Sequence, residues 1–237
     1  DAIVEYTGHT VQATPDENTS ETTVVLTANI QEVFDGYPGD IKDAQVKFVN
    51  RDDGMDISGW IPVTDLLDPS DPTLGTVSYD WLVDIGNSSS DSFTVGIIVG
   101  GCYTRNSSED DTIVTVYIPV GDFITGGGFI NPDNSAGTYA STPGLKTNFG
   151  FNVKFNNSGR KLKGHMNIIF RIQQVDGVHT YQIKGNAIQS LGVDIEDPNN
   201  MLAEFATKAN LTDITDPLNP IGLGGNLRLT VDMTDRG

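Results

Sequence analysis

A chain of 237 residues is long enough for one large β domain or two of ordinary size, and 26 Gly and 11 Pro with only 8% aromatics suit a turn-rich protein of thin sheets. The formal charge of −18, from 32 acidic against 14 basic residues, repels phosphate backbones and anionic headgroups, which argues against nucleic-acid and membrane-surface partners and leaves divalent cations as a natural counter-charge. No apolar run approaches the roughly 20 residues of a membrane-spanning helix, and the single cysteine, Cys102, excludes an internal disulfide framework.

The chain opens at Asp1 without a basic segment and apolar run, so a processed product or an excised fragment is expected. In residues 22–30, Val24, Leu26, Ala28 and Ile30 alternate with polar residues and predict a strand with one apolar face. Ala44, Val46 and Phe48 predict a second, and residues 51–59, with Asp52, Asp53, Gly54 and Asp56, a loop. Residues 60–63 form at most a short strand, interrupted by Pro62. Val77, Tyr79, Trp81 and Val83 alternate next, before a Gly-Asn-Ser turn. Residues 91–104 and 112–119 are strong strand patterns separated by an acidic loop, and Cys102, after the apolar run 95–99, is expected as a buried strand or strand-end thiol. About seven short strands with turn chemistry between them predict an immunoglobulin-like sandwich over residues 1–121. The Cys–Trp–Cys signature of antibody domains is absent, so the likeness is architectural.

Three consecutive glycines, Gly126 to Gly128, lack Cβ restraint and are expected as a joint between modules. Residues 122–237 form the second. There Phe149, Phe151, Val153 and Phe155 point one way and Gly150, Asn152 and Lys154 the other. Asn156-Asn157-Ser158-Gly159 is expected as a hairpin turn, followed by a return strand with Met166, Ile168, Phe170 and Ile172 on one face. Further strands are expected over 179–191, 201–212 and 226–234, as a meander or small sandwich. No segment sustains a 3.6-residue period, so the fold class is all-β: two tandem β-sandwich modules, the first immunoglobulin-like, with very little helix.

Three acidic clusters could offer the six to eight oxygens that calcium takes: Asp52, Asp53 and Asp56; Glu109, Asp110 and Asp111; and Asp194, Glu196 and Asp197. None follows a known calcium-loop pattern, and each taken singly reads better as a solvated turn than as a metal site. Paired carboxylates could also serve a glycosidase, but only Trp60 and Trp81 could line a cleft, and Trp81 sits in an alternating strand. His9, His165 and His179 are dispersed; the last two could face each other across a hairpin, without a third zinc ligand. Cys102 has no evident basic partner. An enzyme is therefore not expected. Asn18, Asn87, Asn106, Asn156 and Asn210 head N-x-S/T sequons and are glycosylation candidates.

The stretches 39–50 and 94–105 resemble immunoglobulin-like repeats of large secreted or surface-anchored prokaryotic proteins. The stretches 125–129, 146–155 and 224–236 look like a Gly-rich β module that follows such repeats. The resemblance implies an extracellular or cell-surface location and a structural or adhesive role, as a stalk segment, fibre or surface-layer subunit. Its partners would be neighbouring modules or further copies of the chain. It carries over no catalytic residue. The runner-up is a carbohydrate-binding module that meets a surface glycan, with calcium as its cofactor if it has one. In the family pattern the second module continues past Thr-Asp-Arg-Gly into a further strand, whereas this chain stops at Gly237. An open edge is expected there, and Ala2, Ile3, Val4 and Tyr6 are candidates for a strand donated between subunits.

Overall fold

The computed structural model describes residues 1–37, 39–119, 123–155, 161–194 and 201–235. The structure is 63% strand and 3% helix, the helix among the described residues being two single-turn 3-10 segments at Ile41–Asp43 and Ser108–Asp110. The protein is all-β, as the absence of a helical period predicts.

The first module is a sandwich of two sheets. One has the order β1 (Ala2–Tyr6), β3 (Glu21–Glu32), β8 (Leu74–Asp84), β7 (Asp65–Leu66). The other has the order β2 (Val11–Ala13), β11 (Thr112–Tyr117), β9 (Ser90–Gly101), β4 (Ala44–Asn50), β5 (Met55–Asp56). Two short strands, β6 (Ile61–Pro62) and β10 (Arg105–Asn106), add to β4 and β9. This is the immunoglobulin arrangement of an ABED sheet on a GFC sheet. The N-terminal strand splits between the sheets: β1 runs antiparallel to β3, and β2 crosses over to run parallel to β11. Between the sheets, Val24, Leu26, Ala28 and Ile30 meet Val46, Phe48, Val95, Ile97, Val114 and Val116, all fully buried. Each of these side chains except Ala28 stabilises the fold by roughly 1.5–3 kcal/mol through burial.

Ala2, Ile3, Val4 and Tyr6, expected as a strand donated between subunits, pair instead within their own chain. All five residues of β1 are in register with β3 of the same chain, from Ala2 opposite Glu32 to Tyr6 opposite Ala28. Ala2 and Val4 are buried in the first module's own core. Withdrawing β1 would expose that core and unpair β3, so the segment is already committed.

The second module is a single antiparallel meander: β12 (Phe123–Ile130), β13 (Thr147–Phe155), β14 (Leu162–Gln174), β15 (Gly177–Asp194), β16 (Met201–Asp213) and β17 (Ile221–Asp235), each paired with the next. Register shifts between β15 and β16 at Gly185/Ala187 and Ile188/Ser190 mark bulges, which bend a sheet and increase its twist. The sheet curls far enough for Ile124 of β12 and Met233 of β17 to pack on one cluster of Phe151, Val153, Met166 and Phe205.

The three glycines are not a joint. They lie inside β12, in register with Phe151, Gly150 and Phe149. A Cβ on Gly126 would press on the Phe151 ring at 2.7 Å, and one on Gly127 would meet Val11 of β2 at 2.7 Å. Close approach requires glycine at 126 and 127, whereas Gly128 stands in open space with a φ of +151° that favours glycine.

Candidate functional site at the junction of the modules

The faces of β13 and β14 opposite the phenylalanines carry Asn148, Gly150 and Asn152, and His165, Asn167, Ile169 and Arg171. They do not face water. Asn148, Asn152, Asn167, Arg171 and, on β15, Thr180 and Gln182 are all buried. They are covered by β9 and β11 of the first module, which are thus enclosed on both sides. In β11, Val114 and Val116 enter the sandwich core while Ile113 packs with Ile169 and Ile214 of the second module. Gly150 lets the two sheets approach, since a Cβ there would fall within contact distance of Ile113 and Thr115.

Hydrogen bonds specify this contact. Asn167 Nδ2 and Gln182 Nε2 both donate to Thr94 Oγ1, at 3.4 and 2.8 Å, and Asn148 Nδ2 donates to Thr112 Oγ1 at 3.2 Å. At the centre lies Arg171, 4% exposed. Its guanidinium donates to Asn148 Oδ1 at 2.6 Å, to the Lys146 carbonyl at 2.8 Å and, across the junction, to the Asp111 carbonyl at 2.8 Å. The Asp111 carboxylate is fully buried and accepts from Arg51 Nε at 3.1 Å, while its Oδ2 has no protein partner. Burial pushes the Asp111 carboxyl up to about 6, against the opposing pull of Arg51 and Arg171. Two ion pairs flank the contact: Lys184 Nζ with Asp52 at 2.5 Å, and Lys146 Nζ with Glu5 at 2.6 Å.

Beside it a cleft of about 670 Å³ opens between β1 and the second module. Arg171, Asp111 and Asn148 are among its lining, with Glu5, Phe129 and Lys146. Lys146 Nζ lies 4.6 Å from the centroid of the Phe129 ring, which is half-exposed. Acceptors, donors and one aromatic face thus converge there.

The acidic clusters are dispersed into other work. Asp52 binds Lys184 and accepts from the Thr94 amide at 2.8 Å, Asp53 accepts from the Met55 amide and Asn50, and Asp56 pairs with Lys47 at 3.0 Å. Glu109 and Asp110 both bind Arg105, and Asp111 turns inward to Arg51. Asp194 ends β15, while Glu196 and Asp197 lie outside the described residues. Among the described residues no three His, Cys, Asp or Glu side chains are grouped to hold a metal ion.

Cys102 is exposed in the turn after β9 rather than buried, because the strand ends at Gly101 and its side chain falls beyond the core. His165 and His179 do not face each other: His165 pairs with Asn152, and His179 lies opposite Ile172 with Asp176 and Asp213 beside it. Trp81 meets Phe93 edge-to-face at 5.1 Å, whereas Trp60 is half-exposed, lying against Gly100 and under Lys47. Asn18, Asn87, Asn106 and Asn210 are all exposed, and Asn156 lies outside the described residues. Among these, the Asn106 side chain accepts from Arg51 at 2.9 Å and that of Asn210 from the Asn226 amide at 3.4 Å.

Reasoning on the sequence missed the junction and Arg171 with it. A signal was present: β11 reads T-I-V-T-V-Y, with no charged residue on either face, as a strand covered on both sides should.

No protein-family model matches this chain, and no curated protein or solved structure matches it.

Proposed function

We propose that this chain is a non-enzymatic structural or adhesive unit of an extracellular prokaryotic surface protein, in which the two modules act as one stiff body. The observation that carries this is the junction. Joined modules whose role is to carry independent sites need only a linker, and inter-domain contacts of that kind move by default. Here a buried arginine, three buried amides and two flanking ion pairs hold one sheet face on another. The resemblance of both modules to surface-protein repeats supports the location.

Spin labels on the exposed Cys102 and on Val175→Cys, in an exposed turn of the second module, test the stiffness. A single narrow distance distribution is expected, and a broad one would overturn the stiff-body role. A second role, carbohydrate binding, is favoured by the junction cleft, with its mixed donors and acceptors beside the half-exposed Phe129. Saturable binding to one member of a panel of surface polysaccharides, lost in Phe129→Ala, would establish it.

A further inference from the structure

We propose that β17 is a self-association edge: two copies of this chain pair their β17 strands antiparallel about a two-fold axis through Thr230, fusing their meander sheets into one. The pairing deepens the structural role proposed above by naming its partner as a second copy.

The strand β17 ends the sheet order and pairs with β16 alone among the described residues. Its regular part, residues 227–235, is in unbroken register with residues 209–201 and contains no proline or lysine to block a further strand. Its outward face carries an unusual charge pattern. Arg228 lies directly opposite Lys208, and Asp232 directly opposite Glu204, with Thr230 opposite Ala206 between them. Like charges directly opposite each other destabilise a sheet. Arg228 and Asp232 are exposed, and neither forms an ion pair with a described residue.

A two-fold axis through Thr230 resolves both conflicts together. It sets Arg228 of each copy opposite Asp232 of the other, so that each like-charged pair faces a pair of the opposite sign. The same register puts Leu229 opposite Val231 of the second copy, and Leu227 opposite its Met233. All four lie on the inner face, where Leu227 is 45% exposed and the other three are half-buried. The contact is isologous and closed, so it yields a dimer rather than an open polymer. The edge carries one arginine against two aspartates, close to neutral on a chain of charge −18, whose long-range repulsion is screened beyond about 8 Å at physiological salt.

Sedimentation equilibrium of the full chain at physiological salt, across the micromolar range, tests this. The wild type is expected to dimerise. Arg228→Asp and Asp232→Arg each turn two attractive pairs repulsive and are expected to weaken the dimer by on the order of tenfold or more. Mixing the two variants restores association, because every charge across the axis again meets its opposite. Circular dichroism of each variant separates a lost contact from a lost fold. A wild type monomeric throughout overturns the proposal, as do a dimer indifferent to both substitutions and folded variants that fail to recombine. A monomer with a narrow inter-module distance would sink the edge pairing and leave the stiff body standing. A dimer with a broad distance distribution would do the reverse.

Discussion

Replacing Arg171 by methionine keeps the apolar stem and removes the guanidinium that crosses the junction. Three hydrogen bonds vanish, to Asn148, Lys146 and Asp111. Their buried acceptors are left without that donor, at a cost of about 1–3 kcal/mol each. Against this stands relief from desolvating the guanidinium, whose Nε already lacks a partner. With that relief offsetting part of the three lost bonds, a net loss of about 2–5 kcal/mol is expected for Arg171→Met. Urea unfolding offers a test with two probes. Both tryptophans, Trp60 and Trp81, belong to the first module, so fluorescence reports that module while far-ultraviolet circular dichroism reports both. The wild-type transitions are expected to coincide, as for a single cooperative unit, and those of Arg171→Met to separate as the modules uncouple. Lys42→Met, at an exposed position, serves as the control and is expected to stay within about 0.5 kcal/mol. A loss for Arg171→Met below about 1 kcal/mol, with the two probes still coincident, would refute the claim that this residue ties the modules together.

Gly150→Val forces a branched side chain into Ile113 and Thr115, and overpacking of this kind costs about 1–3 kcal/mol, read as a lower melting temperature. Asp111 gives a pH signature. Its folded pKa of about 6 lies above the unfolded value near 3.9, so the folded state binds the extra proton between those limits. This residue's contribution to stability therefore rises as pH falls from about 6 to about 4, by at most about 3 kcal/mol. Asp111→Asn lacks that rise, and stability curves for the two proteins that stay parallel from pH 7 to pH 4 would contradict it. Because Asp52, Asp56, Glu109, Asp110 and Asp111 are each engaged by lysine or arginine, adding calcium or a chelator is expected to leave the melting temperature unchanged. A rise with calcium, reversed by the chelator, would show that these pairs give way to the ion.

The all-β class and most strands were legible because period-2 alternation reports a half-buried strand directly: Val24 to Ile30 and Phe149 to Phe155 are strands as expected. An immunoglobulin-like sandwich was expected from strand number and spacing, without its strand order. Pairing partners were not legible. The segment Ala2–Tyr6 has the composition of an edge strand, and nothing local shows whether it pairs with β3 of its own chain or of another. The glycines of β12 look the same in sequence whether they permit bending or close approach. Only the neighbours, Phe151 and Val11, decide between these. The acidic clusters misled for a related reason. A carboxylate's ligand is set by what the fold brings to it, and the partners of Asp52 and Asp111 lie 132 and 60 residues away in sequence.

The junction shows what alternation can and cannot tell. A polar face on a strand is expected to meet water, yet Asn148, Asn152, Asn167 and Gln182 are buried. Their residue types carry the distinction. A face in water can hold lysine and glutamate at little cost, whereas a buried polar face must satisfy each group by a fixed hydrogen bond, which suits amides and hydroxyls. The meander shows both cases on one sheet surface. Where the first module covers it, over β13 to β15, the face is mostly Asn, Gln, Thr and Gly, and its central charge, Arg171, has three acceptors. Where the surface runs on to β16 and β17, it carries Glu204, Lys208, Arg228 and Asp232. The change from amides to charges along one polar face marks where the covering module ends.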